Sequence, residues 1–128
     1  MSEEFSPRNA IASRISGYVY VVGLGQIPIV RAFKDANTTG NTTIVAAQGS
    51  GQIIRVIFAS VVCKSAVDVY FASNSTQISS TGGFGAGGGI IMPENVHGWF
   101  QTAADQALNV NLSGNVNVGV NVGYIVIN

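Results

Sequence analysis

The sequence predicts an all-β protein, an antiparallel β-sandwich or jelly roll of about eight strands with an extended N-terminal arm. Three observations carry this reading. In residues 107–128, Leu108, Val110 and Leu112 alternate with Asn109, Asn111 and Ser113, and Val116, Val118, Val120 and Val122 alternate with Asn115, Asn117, Gly119 and Asn121. A period of two places each apolar set on one face of a pleated strand. Strand-like stretches recur at spacings of about 8–12 residues, separated by Gly, Asn, Ser and Thr. No stretch sustains a helical period beyond about one turn.

Residues 1–16 form the arm, and 17–128 a single sandwich domain whose most compact part spans about 40–128. The first 14 residues hold Glu3, Glu4, Arg8 and Arg14 together with Pro7, and show no sustained period. Residues 17–24 and 27–33 read as strands, with Pro28 suited to an edge or a strand start. The Asp-Ala-Asn-Thr-Thr-Gly-Asn cluster at 35–41 is a turn region. Residues 42–47 make a short strand. Residues 52–63 are apolar on both faces, which belongs in the interior of a sheet, with Arg55 exposed or satisfied by a partner near the strand start. In residues 66–72, Val67, Val69 and Phe71 point one way and Asp68 and Tyr70 the other. Residues 73–80 are polar, with Ile78 as an inward anchor. The glycine-rich run 82–89 is a loop, flexible or packed against a neighbour, and residues 90–92 a strand stopped by Pro93. The Ser113-Gly114 step between the two last alternating runs reads as the turn of a hairpin.

The chain is 128 residues long, enough to bury a core without disulfides or metals. Its charged fraction is 9%, against a typical value of about 25%. Six basic and six acidic residues cancel, so the chain lacks the basic footprint of a nucleic-acid or anionic-membrane binder. A nearly neutral surface of Asn, Thr, Ser, Gln and Gly suits a protein packed against copies of itself or a partner. The one cysteine, Cys63, lies in an apolar run and reads as a buried small hydrophobe. The opening Ser-Glu-Glu is unlike a secretory leader, and the apolar run 18–30, broken by Gln26 and Pro28, is too short for a membrane helix. The expectation is a soluble chain made in the cytoplasm. Four Asn-x-Ser/Thr sequons, at Asn37, Asn41, Asn74 and Asn111, follow from the composition.

No constellation of catalytic residues stands out. The glycine run lacks the Lys-Ser/Thr of a phosphate-binding loop and no helix follows it. His97 is the one histidine, with only Glu94 near it in sequence, which is too little for a zinc site or a serine triad. The carboxylates Glu3, Glu4, Asp35, Asp68, Glu94 and Asp105 are scattered, with no calcium-loop spacing. The expectation is a non-enzymatic chain without cofactor or metal. Trp99 and Phe100, with Tyr18, Tyr20 and Tyr70, read as core or interface anchors, with a sugar-stacking platform as the alternative.

One ordered set of segments resembles a known group of proteins. Ser65-Ala-Val-Asp-Val-Tyr-Phe-Ala-Ser is followed by a Gly-rich turn, Gly89-Ile-Ile-Met-Pro-Glu-Asn, Gly98-Trp-Phe-Gln-Thr-Ala and Gln106-Ala-Leu-Asn-Val-Asn-Leu-Ser. This order, over roughly residues 40–128, resembles small β-sandwich proteins of tailed bacteriophage virions, found as capsid decoration proteins and as tail or fibre modules. The resemblance implies a structural virion protein on the capsid surface. Its partners would be the major capsid protein and itself, as a homotrimer or other ring, with no nucleic acid or membrane. Interface candidates are Phe5, Pro7, Arg8 and Arg14 of the arm, with Trp99 and Phe100. The alternative is a receptor- or carbohydrate-binding module of a tail fibre or spike. A weaker resemblance is to secreted lectin-like trimers of the tumour-necrosis-factor or complement type, against which the missing leader counts.

Overall fold

Alternating side chains become paired strands throughout the computed structural model, which describes residues 17–128. The strands are β1 (Tyr18–Val21), β2 (Gly25–Pro28), β3 (Val30–Ala36), β4 (Gly40–Val45), β5 (Ile53–Cys63), β6 (Val67–Ser73), β7 (Thr76–Gln77), β8 (Gly82–Phe84), β9 (Gly89–Met92), β10 (Phe100–Gln101), β11 (Leu108–Leu112) and β12 (Val118–Ile127). Two antiparallel five-stranded sheets pack face to face, so the all-β sandwich holds. The first sheet runs β10-β5-β12-β3 with β9 also on β5; the second runs β4-β11-β6-β7 with β8 also on β6.

The strand count is twelve rather than about eight, and the excess has a simple origin. β9 and β10 occupy successive stretches of one edge of β5, and β7 and β8 do the same on β6. Counting each broken edge once leaves four strand positions per sheet, with β1 and β2 as a separate hairpin. The pairing is nested: β3 with β12, β4 with β11, β5 with β9 and β10, β6 with β7 and β8. Nested pairing of this kind, split between two sheets, is a jelly roll.

The expected terminal hairpin is not one. β11 pairs with β4 and β6, while β12 pairs with β3 and β5 in the opposite sheet. Residues 113–117 therefore cross the top of the sandwich. They are tied to the neighbouring crossing by Ser113 N donating to Asp68 O (3.0 Å), Asp68 N donating to Ser113 Oγ (2.8 Å) and Lys64 N donating to Asn117 O (2.9 Å). Two strands that each have one dry face satisfy it equally well side by side or facing each other across a core. Here they face each other.

The main core lies between the sheets. Leu108, Val110 and Leu112 of β11 meet Val118, Val120 and Val122 of β12, with Val67, Val69 and Phe71 of β6. Full burial of such a side chain is worth roughly 1.5–3 kcal/mol. β5 contributes Ile54 and Val56, then Ala59, Val61 and Cys63. That phase change comes from a bulge: Gly123 pairs with Phe58 and Tyr124 with Val56, which leaves Ile57 without an opposite number.

Ile57 faces away from the main core. It joins Val19, Ile125 and Ile127 in a second cluster, with Val21, Ile27, Ile29, Ile53 and Phe58 packed against it. The β1–β2 hairpin thus covers part of the first sheet's outer face. The run expected at 27–33 divides at Ile29, so that β2 belongs to the hairpin and β3 to the sheet. This explains why β5 is apolar on both faces, as does its interior place between β12 and the β9/β10 edge. No helix among the described residues is long and apolar enough to cross a membrane.

Candidate functional site

Where the broken edges of the two sheets face each other, a cleft opens into the sandwich. Its inner part, about 90 Å³, is lined by Val61, Val69, Phe71, Phe84, Ile90 and Met92, with Ser79, Ser80 and Gly82. It is contiguous, through Ser79, Ser80, Ile90 and Met92, with a wider space of about 330 Å³ that reaches Ile78, Trp99 and Phe100. A dry cavity that holds benzene measures about 150 Å³, so the inner part suits a branched aliphatic group and a sugar ring fits only beside Trp99.

The segment carrying Trp99 is built on the bulge in β5. Pro93 ends β9; Asn95 N then donates to Ile57 O (2.9 Å) and Trp99 N to Val56 O (2.8 Å). Between them Asn95 Oδ1 accepts from His97 N, and Gly98 turns with φ +81° against the methylenes of Arg55. The indole Nε1 donates to Pro93 O (2.8 Å), which fixes the ring while leaving Trp99 44% exposed.

Phe100 points the other way. Its ring meets that of Phe71 at 4.9 Å between centroids, and it packs on the main core. The two adjacent aromatics therefore have different environments: Trp99 is exposed on the cleft, whereas Phe100 is half-buried against the core. The other interface candidates, Phe5, Pro7, Arg8 and Arg14, lie outside the described residues. Arg55 is half-buried, with its Nε donating to Gln101 Oε1 at 2.9 Å.

A second surface was not legible in the sequence. On the uncovered part of the first sheet's outer face, Phe33, Asn121, Ser60 and Ile91 stand in one cross-strand row over β3, β12, β5 and β9. Phe33 is 78% exposed, Ile91 80% and the nearby Val62 59%. The outer face of the second sheet differs: Asn41, Asn74, Asn109 and Asn111 are hydrogen-bonded together there, through side-chain amides and the Asn74 carbonyl. Asn111 Nδ2 donates to Asn41 Oδ1 (2.9 Å), and Asn109 Nδ2 donates to Asn74 O (2.8 Å). Three of these are sequon asparagines: Asn41 Nδ2 donates to Asn74 O, and Asn74 Oδ1 accepts from Ala107 N.

Titratable groups do not gather at either surface. Asp35, Asp68, Glu94, Asp105 and His97 are exposed, and no group of three or more His, Cys, Asp or Glu side chains is placed to hold a metal among the described residues. Burial raises the Cys63 thiol and the Tyr124 hydroxyl above their ordinary values. The glycine run is part of the fabric: Cys63 N donates to Gly88 O, Gly87 N donates to Cys63 O, and a Cβ on Gly89 would stand 1.9 Å from Val61 O. Its glycines permit that close backbone approach.

Comparison with known proteins finds no matching family model, no matching curated protein and no matching solved structure.

Proposed function

We propose that this chain is a non-enzymatic structural protein that works by surface association, most concretely as a decoration protein bridging major capsid protein subunits on a phage capsid. The observation that carries the reading is the uncovered outer face of the first sheet. Phe33, Val62 and Ile91 are large apolar side chains held out to solvent by the sheet. Exposed large apolar groups sharing one face of a sheet, here with Asn121 and Ser60 between Phe33 and Ile91, suit an association surface. A surface with few charges adds little electrostatic cost to close packing, and the jelly roll supplies a stiff platform. A protein that binds an assembled shell and not its free subunits stabilises that shell by mass action.

Co-sedimentation of the purified chain with assembled capsid shells tests this. Pelleting at a fixed, symmetric stoichiometry, weakened by Phe33→Ser with Ile91→Ser, is the expected result. A chain that stays in the supernatant at saturating shell concentration would sink the reading.

One observation favours a second reading, glycan binding by a tail fibre or spike module. The Trp99 ring is half-exposed, held by its own Nε1 bond and set beside an apolar cleft, which is how a sugar-stacking platform is built. Glycan-array binding abolished by Trp99→Ala would favour it over the capsid.

A further inference from the structure

We propose that β3 is a self-association edge, at which two copies of this chain pair antiparallel about a two-fold axis through Phe33 and join their first sheets into one. β3 pairs only with β12, and no strand borders its other side among the described residues. Along the seven residues Val30-Arg-Ala-Phe-Lys-Asp-Ala, the alternate positions not bonded to β12 thus present unpaired backbone groups, without a proline to interrupt them. Such an edge is a template for another strand.

The residues on this edge are self-complementary in one register. Phe33 is the midpoint of β3 and is 78% exposed. A two-fold axis perpendicular to the sheet keeps outer-face residues opposite outer-face residues, so the candidate registers differ by steps of two. Centred on Phe33, the pairing sets Arg31 opposite the second copy's Asp35, twice by symmetry, and Phe33 opposite itself. Lys34 falls opposite Ala32, and Val30 opposite Ala36. No like charges meet. Centring on Ala32 or Lys34 loses both ion pairs, and the second choice sets Lys34 against Lys34. Centring on Arg31 or Asp35 sets like charges together, and so does parallel in-register pairing. Opposite charges and aromatic pairs directly across an antiparallel ladder favour it, and like charges disfavour it.

In the single chain the two charged side chains rest on the outer face. The Arg31 guanidinium lies 5.6 Å from the Phe58 ring centroid, and Asp35 Oδ1 leans over Gly119. Both residues are exposed, so pairing needs only side-chain rotation. An isologous contact of this type closes at two copies. It stands independently of the capsid reading, and it implies an even-numbered assembly where the virion resemblance implies a trimer.

Light scattering or sedimentation equilibrium over a concentration series tests it. The wild-type mass should be an even multiple of 13.3 kDa. Asp35→Arg places Arg opposite Arg31 twice and should weaken association about tenfold or more, with an unchanged circular dichroism spectrum. Adding Arg31→Asp to that variant reverses both pairs and should restore the wild-type mass. Phe33→Lys should dissociate the assembly by a separate route. A wild-type chain that stays monomeric up to its solubility limit overturns the proposal. So does an odd-numbered ring, an assembly indifferent to Asp35→Arg, or a double variant that remains dissociated.

Discussion

The ring of Phe58 lies directly over Gly123 on the neighbouring strand, in the space a side chain at 123 would need. A Cβ built on Gly123 would sit 1.9 Å from Phe58 Cε2. The two residues are cross-strand partners at the bulge, and Arg31 caps the ring from the far side of β12. Gly123→Ala should therefore destabilise the fold by about 1–3 kcal/mol, the usual cost of overpacking. Phe58→Ala in the same chain should recover part of that loss, and a double-mutant cycle by urea denaturation reads the coupling.

Cys63 is buried in the main core, and burial favours its neutral thiol. Its value in the fold lies above the ordinary 9.0, and that of Tyr124 above 10.0. The stability these neutral groups contribute is complete below the ordinary values and is lost as pH rises through the raised ones. Melting temperature should fall as the solution is made alkaline beyond the ordinary thiol value. Cys63→Ala should start about 1 kcal/mol lower, from the lost sulfur packing, and show a shallower alkaline decline. The native thiol should also resist iodoacetamide until the chain unfolds.

Residues 113–117 join strands in opposite sheets, which lie about 10 Å apart when packed face to face. Replacing them by a two-residue Asn-Gly turn, which suits a hairpin, should abolish cooperative folding. Circular dichroism melts would show a lost transition; a retained one would mean that β11 and β12 can pair directly.

Trp99 is the chain's one tryptophan, so its fluorescence reports on the cleft alone. Trp99→Phe removes the donor to Pro93 O and should cost about 1 kcal/mol. In the wild type, acrylamide should quench the half-exposed indole readily, and any ligand seated beside it should reduce that quenching.

Much of the fold could be read in advance because alternation is a local property. Leu108, Val110, Leu112, Val118, Val120 and Val122 all lie inward, as their spacing requires. What followed them was harder to read. In β12 the outward positions change from Gly119, Asn121 and Gly123 to Ile125 and Ile127, at the place where the β1–β2 hairpin covers the sheet. The signal was present, but its meaning depended on a hairpin roughly a hundred residues away in sequence. Trp99 was legible as a candidate from its type alone. That it is exposed while Phe100 turns inward was not, because the two are neighbours in a short strand region whose phase is set by contacts with β5.

The class of the protein was written in local sequence: strands of period two, with glycine- and asparagine-rich breaks between them. Each follows from forces acting between near neighbours along the chain. The tertiary structure decided which dry face meets which, sending β11 and β12 to opposite sheets, breaking two edges into short strands and leaving Phe33, Val62 and Ile91 in solvent. Burial is non-directional, so an apolar face specifies that it must be covered and says nothing of what covers it. That choice is made by the nested pairing of strands far apart in sequence.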